Sequence, residues 1–379
     1  MGYVRLKAEE VWQKTQDSLT RLAYMGGIDI TRRAPLGLVP ENTDWAINWV
    51  MKYLCRGVNA LHSGTADMTW QPGGLCGRVV HFGTRDVWLA WQRRISPSNR
   101  IVITCLHGEP ANSPDMERSL NRFLDTVPRL SAVIASSRVM AGRLVEWGVP
   151  RGILHRIPLG VDTALFVPPT KEQRRQARRT MGLPDEAICI GSFQKDGLGW
   201  GEGMEPKLIK GPDVFVDAVA RLNRDFPVFV LLSGPSRGYV KKRLEEQGIP
   251  YSHRFLNDYR EIVNFYHALD IYIVSSREEG GPLAIVESMA TGTPFVSTEV
   301  GMAPEVVRHR ENGMLAPSED SVSLADSAAT VLADEGLRSR VVEQGLKDVG
   351  AYDWDALAKR YFDEVYMPLL DTLGKAPSV

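Results

Sequence analysis

Two glutamates, Glu279 and Glu287, stand eight residues apart in SSREEGGPLAIVESMATGTP, residues 275–294. Gly280, Gly281 and Pro282 follow the first of them. The β-branched and aromatic run Ile271-Tyr272-Ile273-Val274 comes before it. Beyond the proline the apolar spacing is helical, with Ile285, Met289 and Ala290 near one face. The order predicted is strand, glycine turn, helix. Pro282 fits the first helical turn, where a missing N–H costs nothing. The free N–H groups of that turn, from Leu283 onward, suit a phosphate. Glu279 then lies in the turn beside whatever is bound. Glu287, two helical turns on, reaches a second part of the same ligand.

This layout resembles the Glu-x7-Glu signature of the retaining glycosyltransferases of family 4, which have the GT-B fold. The resemblance implies that Glu279 lies against the transferred sugar and that Glu287 holds the ribose hydroxyls of a nucleotide. Where the family usually has Glu-Gly-Phe-Gly, this chain has Glu-Gly-Gly-Pro. The similarity extends over residues 79–370. IVITCLHGEP (101–110) resembles the family's apolar strand ending in His-Gly. HRIPLGVDTALF (155–166) resembles its Pro-x-Gly-Val-Asp-x-x-x-Phe junction, and NDYREIVNFYHALDIYIVSS (257–276) the helix and strand that lead to the glutamates. His107, at the end of an apolar strand, is implied to bond a sugar hydroxyl.

The family opens its second half with a strand, then Gly-Arg, then Lys-Gly. Here Gly191 is followed by Ser192, whereas Lys210-Gly211 keeps the second element. Lys210 is the best cation for a diphosphate, as a point charge. Lys195 or Ser192 could take the place of the missing Arg, and Arg237 is a further candidate. The loop at 195–209 is rich in glycine and is expected to be mobile until donor binds. His107 and Glu279 are thus the catalytic candidates. Ser192, Lys195, Lys210, Gly280, Gly281, Pro282, Leu283 and Glu287 are the donor-binding candidates.

The elements that must position these residues alternate strand and helix. Strands are expected at 79–82, 101–106, 132–135, 188–191, 228–232, 271–274 and 295–297, with helices between them. That rhythm implies doubly wound parallel sheets. The expected architecture is α/β, with two Rossmann-like domains facing a cleft as in GT-B. An acceptor-side domain covers 1–166 and a nucleotide-sugar domain 167–351. A closing helix at 352–379 crosses back to the first domain, an expectation that rests on the resemblance. Near the start, residues 7–24 read as a helix anchored by Val11, Leu19 and Leu22. Residues 26–42 read as loop, with Gly26-Gly27 a glycine-loop candidate, and Asp44 could cap the next helix. The basic run KEQRRQARR (171–179) reads as a solvated helix face.

Composition is that of a globular protein: 44% hydrophobic, 24% charged, with 45 Lys+Arg against 46 Asp+Glu. The balance gives no electrostatic reason to expect nucleic acid. No apolar run reaches the length of a membrane span. The N-terminus lacks the apolar core of a secretory signal. Four dispersed cysteines make no metal or redox pattern. A cytoplasmic protein is expected, without cofactor or metal. Its partners are a nucleotide sugar and a carbohydrate, lipid-linked or small-molecule acceptor, and peripheral membrane contact stays open. Two alternatives also stay open. One is another GT-B enzyme, an epimerase or a phosphorylase; the other is a non-catalytic nucleotide-sugar-binding protein.

Overall fold

The computed structural model describes residues 2–26, 33–41 and 46–373. The positions of Gly27, Asp44 and the Val11 side chain lie outside the described residues. The chain divides into two compact units, residues 1–157 with 354–379 and residues 158–353.

The first unit is built from α1 (Gly2–Met25), β1 (Leu36–Val39), α2 (Ala46–Leu61), β2 (Ala66–Met68), β3 (Val79–Phe82), α3 (Arg85–Trp91), β4 (Arg100–Cys105), α4 (Pro114–Leu124), β5 (Ala132–Ala135), α5 (Arg138–Glu146) and β6 (Leu154–Arg156). Its six strands are all parallel, in the order β2-β1-β3-β4-β5-β6. The direction of strand addition reverses between β1 and β3, and in open α/β sheets ligands bind at the carboxyl ends of such a pair. Val80, Phe82, Ile101, Ile103, Val133 and the fully buried Trp88 form the core.

The strand β1 lies inside the stretch expected to be loop. Pro35 and Pro40 bracket four apolar residues, so proline signals hide a short strand buried along its whole length. A Cβ at Gly37 would stand 2.8 Å from the Leu75 side chain, so a larger residue there would have to displace that leucine. Leu19 and Leu22 are exposed rather than anchoring α1. The helix is held by its polar side instead: buried Asp17 accepts from Arg94 at 2.7 Å, and Arg21 donates to the Gly73 carbonyl at 3.1 Å.

The second unit runs α6 (Lys171–Met181), β7 (Ile188–Phe193), α7 (Pro212–Leu222), β8 (Val228–Ser233), α8 (Gly238–Glu246), β9 (Tyr251–Arg254), α9 (Ile262–Ala268), β10 (Ile271–Val274), α10 (Leu283–Thr291), β11 (Phe295–Thr298), α11 (Ala303–Val306), β12 (Met314–Ala316), α12 (Ser321–Ala333) and α13 (Glu335–Asp348). Its strands are parallel in the order β12-β11-β10-β7-β8-β9, which reverses between β7 and β10. The first division falls after Ile157 rather than Phe166, because the junction is tied into this unit. The Val161 N–H donates to the Tyr352 carbonyl at 2.9 Å, and the Thr163 N–H to Asp353 at 3.1 Å.

The basic helix α6 is not merely solvated. Arg174 and Arg178 both bond Asp270, at 2.6 and 2.9 Å, and they also donate to the carbonyls of residues 267–269. Only the other arginine pair, Arg175 and Arg179, faces outward, against Glu172.

After Asp353 the chain returns to the first unit as α14 (Trp354–Tyr361), a π turn over Phe362–Tyr366 and α15 (Met367–Leu370). Tyr361 and Tyr366 both flank the ring of His81 on β3. His81 is fully buried, with Nδ1 2.7 Å from the Tyr366 hydroxyl and Nε2 2.8 Å from Thr104 Oγ1. Among the described residues no helix is long and apolar enough to cross a membrane.

Candidate functional site

The carboxyl ends of β7 and β10 bring Lys210 and Glu279 together. A short 3-10 turn at Leu208–Lys210 leads into Gly211, whose φ is +59°. A Cβ there would overlap the Ser275 carbonyl oxygen, so the two backbones approach this closely only through glycine. The Arg277 and Glu278 N–H groups donate to the Ile209 carbonyl at 2.8 and 3.0 Å. Arg277 also makes a two-pronged contact with Asp213, at 2.8 and 2.7 Å. The result places Lys210 Nζ 2.5 Å from Glu279 Oε1, and Ser276 donates to the same oxygen at 2.9 Å. The cation assigned to a diphosphate and the carboxylate assigned to a sugar therefore neutralise each other.

Glu287 lies on α10 and is only 5% exposed. Its Oε2 accepts from the Tyr266 hydroxyl at 2.6 Å, and its Oε1 from Tyr259. Burial raises the Glu287 carboxyl above its ordinary value, and the two phenols pull it partly back. Phe166, from the junction motif, packs edge-on against Tyr266 and tilted against Tyr259. Neither tyrosine was singled out from the sequence, although both lie in the segment 257–276 that leads to the glutamates. Pro282 stands one residue outside the helix, as its N-cap with ψ of 101°, rather than in the first turn, so the first helical N–H belongs to Leu283. Gly280 is buried and Gly281 half-buried. A Cβ on Gly281 would crowd Met302 and Leu159 at 3.1 and 3.2 Å.

Three expectations about the phosphate side are corrected. Ser192 does not face a ligand: it is buried, and its hydroxyl accepts from Arg237 at 3.0 Å. Arg237 is itself 1% exposed and donates to the carbonyls of Ser192, Gln194 and Ser233. Its Nε lies 3.0 Å from Asp196, which has no exposed side-chain surface. An arginine that follows β8 thus fills the space beneath Ser192 as a structural cation. The glycine-rich loop is also well anchored. Leu198 N–H donates to the Glu205 carbonyl and Lys207 N–H to that of Asp196, at 2.8 and 2.7 Å. Gly238 and Tyr239 N–H groups hold the carbonyls of Glu202 and Gly203 at 2.6 and 2.9 Å. Gly197 and Gly203 serve close backbone packing against Ser236, whose hydroxyl also donates to the Gly199 and Gly201 carbonyls at 3.2 and 3.1 Å. Lys195 lies over the exposed Trp200 ring, 3.8 Å from its centroid.

His107 is half-buried, two residues past β4, and belongs to the first unit. It is followed by Gly108 at a φ of +142°. Glu279, Lys210 and Glu287 all belong to the second unit.

Two Rossmann-like units of six parallel strands each make a GT-B fold, shared with solved glycosyltransferases. Sucrose-phosphate synthase from Thermosynechococcus elongatus matches with a TM-score of 0.72 and 21% identity, over 90% of this chain and 100% of that one. HepE of Anabaena, solved with UDP-glucose, matches at 0.71 and 16%, over 87% and 98%. Residues 205–348 match the family described as glycosyl transferases group 1, so the second unit carries a domain of that family, with Lys210, Glu279 and Glu287 inside it. The D-inositol 3-phosphate glycosyltransferase of Corynebacterium urealyticum is 31% identical over 222 residues, 55% of this chain and 50% of that protein. The lipopolysaccharide core biosynthesis mannosyltransferase LpsB of Rhizobium meliloti is 30% identical over 237 residues, 60% of this chain and 62% of that protein. The chain thus spans half to three-fifths of the length of the curated relatives it matches.

Proposed function

We propose that the protein is a retaining glycosyltransferase, moving a sugar from a nucleotide-diphosphate donor to a carbohydrate, lipid-linked or small-molecule acceptor. The observation that carries this reading is the Lys210–Glu279 pair, set at the β7/β10 reversal and on the same turn-and-helix unit as the buried carboxylate of Glu287. A diphosphate competes with Glu279 for the Lys210 ammonium, and the first N–H groups of α10 share its charge. Glu279, released from Lys210, is then an acceptor for sugar hydroxyls. Glu287, already oriented by two phenols, accepts from ribose. His107 is assigned a sugar hydroxyl. No nucleophile is assigned. The acceptor attacks from the face the leaving group departs, and a donor phosphate oxygen takes its proton.

Leaving-group stabilisation by Lys210 and backbone amides makes a metal unnecessary in this scheme. The complexes of HepE with UDP and UDP-glucose favour a uridine donor. The names of the relatives favour a polyhydroxylated acceptor. A reaction fed by nucleotide sugars places the protein in the cytoplasm.

A thermal-shift screen of nucleoside diphosphates and their sugars tests the reading, because a ligand at a hundred times its Kd stabilises by about 2.7 kcal/mol. Donor turnover is then followed with and without chelator. If no nucleoside diphosphate stabilises the protein, the reading is wrong. Release of sugar phosphate in the presence of free phosphate identifies a phosphorylase instead.

A further inference from the structure

We propose that Arg85 is the oxyanion-binding residue of a second ligand site, in the first unit, which takes a phosphate- or carboxylate-bearing acceptor. The assignment of that ligand as acceptor rests on the glycosyl-transfer reading; the site itself does not. Arg85 follows β3 by three residues, at the reversal between β1 and β3 where a sheet of this order receives ligands. It is 8% exposed. A guanidinium stays charged under all ordinary conditions, and a buried charge needs an anion or a full set of acceptors.

Among the described residues Arg85 has only weak partners. Its Nη2 points at the Met116 sulfur, 3.0 Å away, and a thioether is a weak acceptor. Its Nε is buried without a hydrogen-bond partner. The nearest carboxylate oxygen, Asp86 Oδ1, stands 3.9 Å from that nitrogen and accepts from Ser119 at 3.0 Å. Glu41, just past β1, is engaged with Thr84.

The Gly108 backbone lies close against the guanidinium. Gly108 has no side chain, and a Cβ there would stand 3.1 Å from Nη1 and 3.5 Å from Nη2. A planar fork of N–H donors whose described partners are a thioether and a carboxylate oxygen 3.9 Å away suits the two oxygens of a phosphate or a carboxylate. It does not match a neutral sugar hydroxyl, which leaves the charge unpaired.

The test uses the full chain with UDP at saturation, so that Lys210 is occupied. Melting temperature is measured against inorganic phosphate, acetate and KCl at matched ionic strength. The parent is expected to gain a saturable rise with an oxyanion that KCl does not give. A larger rise with phosphate assigns a phosphate-bearing ligand; a larger rise with acetate assigns a carboxylate. Arg85→Met is expected to lose the rise entirely and to melt in KCl at or above the parent temperature, because it replaces an unpaired buried charge with an apolar chain of similar length. If Arg85→Met fails to fold, Arg85→Gln serves in its place and is likewise expected to lose the rise. A parent response that follows ionic strength alone, or an oxyanion rise that survives in either variant, overturns the site. Failure of every nucleoside diphosphate to stabilise the parent overturns the transferase reading instead and leaves the Arg85 result standing.

Discussion

Replacing Glu287 acts on fold and ligand by separate amounts. In Glu287→Ala the Tyr266 hydroxyl, 1% exposed as a residue, loses its acceptor and cannot reach water, whereas half-buried Tyr259 can turn outward. An orphaned buried donor costs about 1–3 kcal/mol. Removing a carboxylate whose burial is itself unfavourable offsets part of that, so we expect a loss of about 1–2 kcal/mol in urea denaturation. Loss of a charged hydrogen bond to ribose costs a further 1.5–3 kcal/mol of binding, roughly a 10- to 150-fold rise in Kd for UDP by calorimetry. Glu287→Gln separates the two effects. It keeps a partner for each phenol and should unfold within about 1 kcal/mol of the parent, yet it loses the charge and the affinity. It should also respond less to removal of the ribose hydroxyls, measured with 2′-deoxy-UDP. The pH profile gives a further check. The folded carboxyl is raised above 4.5, so the native state holds its proton longer than the unfolded chain. Stability from this group therefore falls as pH climbs from 4.5 through the raised value, and Glu287→Gln lacks that decline. Unchanged UDP affinity in Glu287→Gln, with the parent's preference for ribose intact, refutes the ribose assignment. Unchanged stability in Glu287→Ala refutes the energetic role of the tyrosine pair.

Lys210→Ala should lose most transfer activity and weaken UDP by about 1.5–3 kcal/mol, whereas Glu279→Gln, which removes the carboxylate that competes with a diphosphate for Lys210, should bind UDP at least as tightly as the parent and turn over poorly. Parent-like turnover in Lys210→Ala, or loss of the parent's activity to a chelator, would falsify this account of leaving-group stabilisation. Asp196→Ala leaves Arg237 buried and unpaired, so it should cost about 3–5 kcal/mol and open residues 195–207 to limited proteolysis. The parent's loop should resist cleavage even without ligand, and equal cleavage of parent and variant would show that the anchor is ineffective. Burial pushes the His81 imidazole down to about 3, so the folded protein keeps it neutral while the unfolded chain takes up a proton below about 6.5. Stability should decline as pH falls from 6.5 toward 3, by about 2 kcal/mol at pH 5 from this group alone, and His81→Asn should remove that share of the slope. Parallel profiles for the two proteins would exclude His81 as the source.

The parallel sheets and the turns that carry Lys210 and Glu279 were legible because their signals are local; the ion pair between the two residues was not read from the sequence. Lys210-Gly211 and Glu279 through Leu283 carry their own turn chemistry, and strands such as Ile271–Val274 are continuous apolar runs. What stayed hidden depends on partners far away in sequence. Ser192 reads as a substitute for a missing phosphate ligand until Arg237, 45 positions later, is seen to take its hydroxyl. The glycines of 195–203 read as freedom, yet Ser236 packs against Gly197 and Gly203. In α1 the apolar residues pointed to one face, and an ion pair spanning 77 positions, Asp17 with Arg94, selected another. The strand β1 was lost because its two flanking prolines outweighed four residues of pattern.

The π turn at Phe362–Tyr366 sets the phase of the last helical segment twice. In a uniform α-helix, residues five apart lie about 140° from each other around the axis. Tyr361 and Tyr366 are five apart and yet both face the His81 ring, because the wider turn takes up the difference. The segment before the turn is phased by Trp354 and Leu357, buried in the first unit, and the segment after it by Thr372 against Arg100. A change that let the turn relax into regular α geometry would force the chain to keep one tyrosine on the imidazole and swing the other away. The His81 ring resonances therefore act as a gauge of helical phase, reporting rotation of this segment even where the total helix content stays constant.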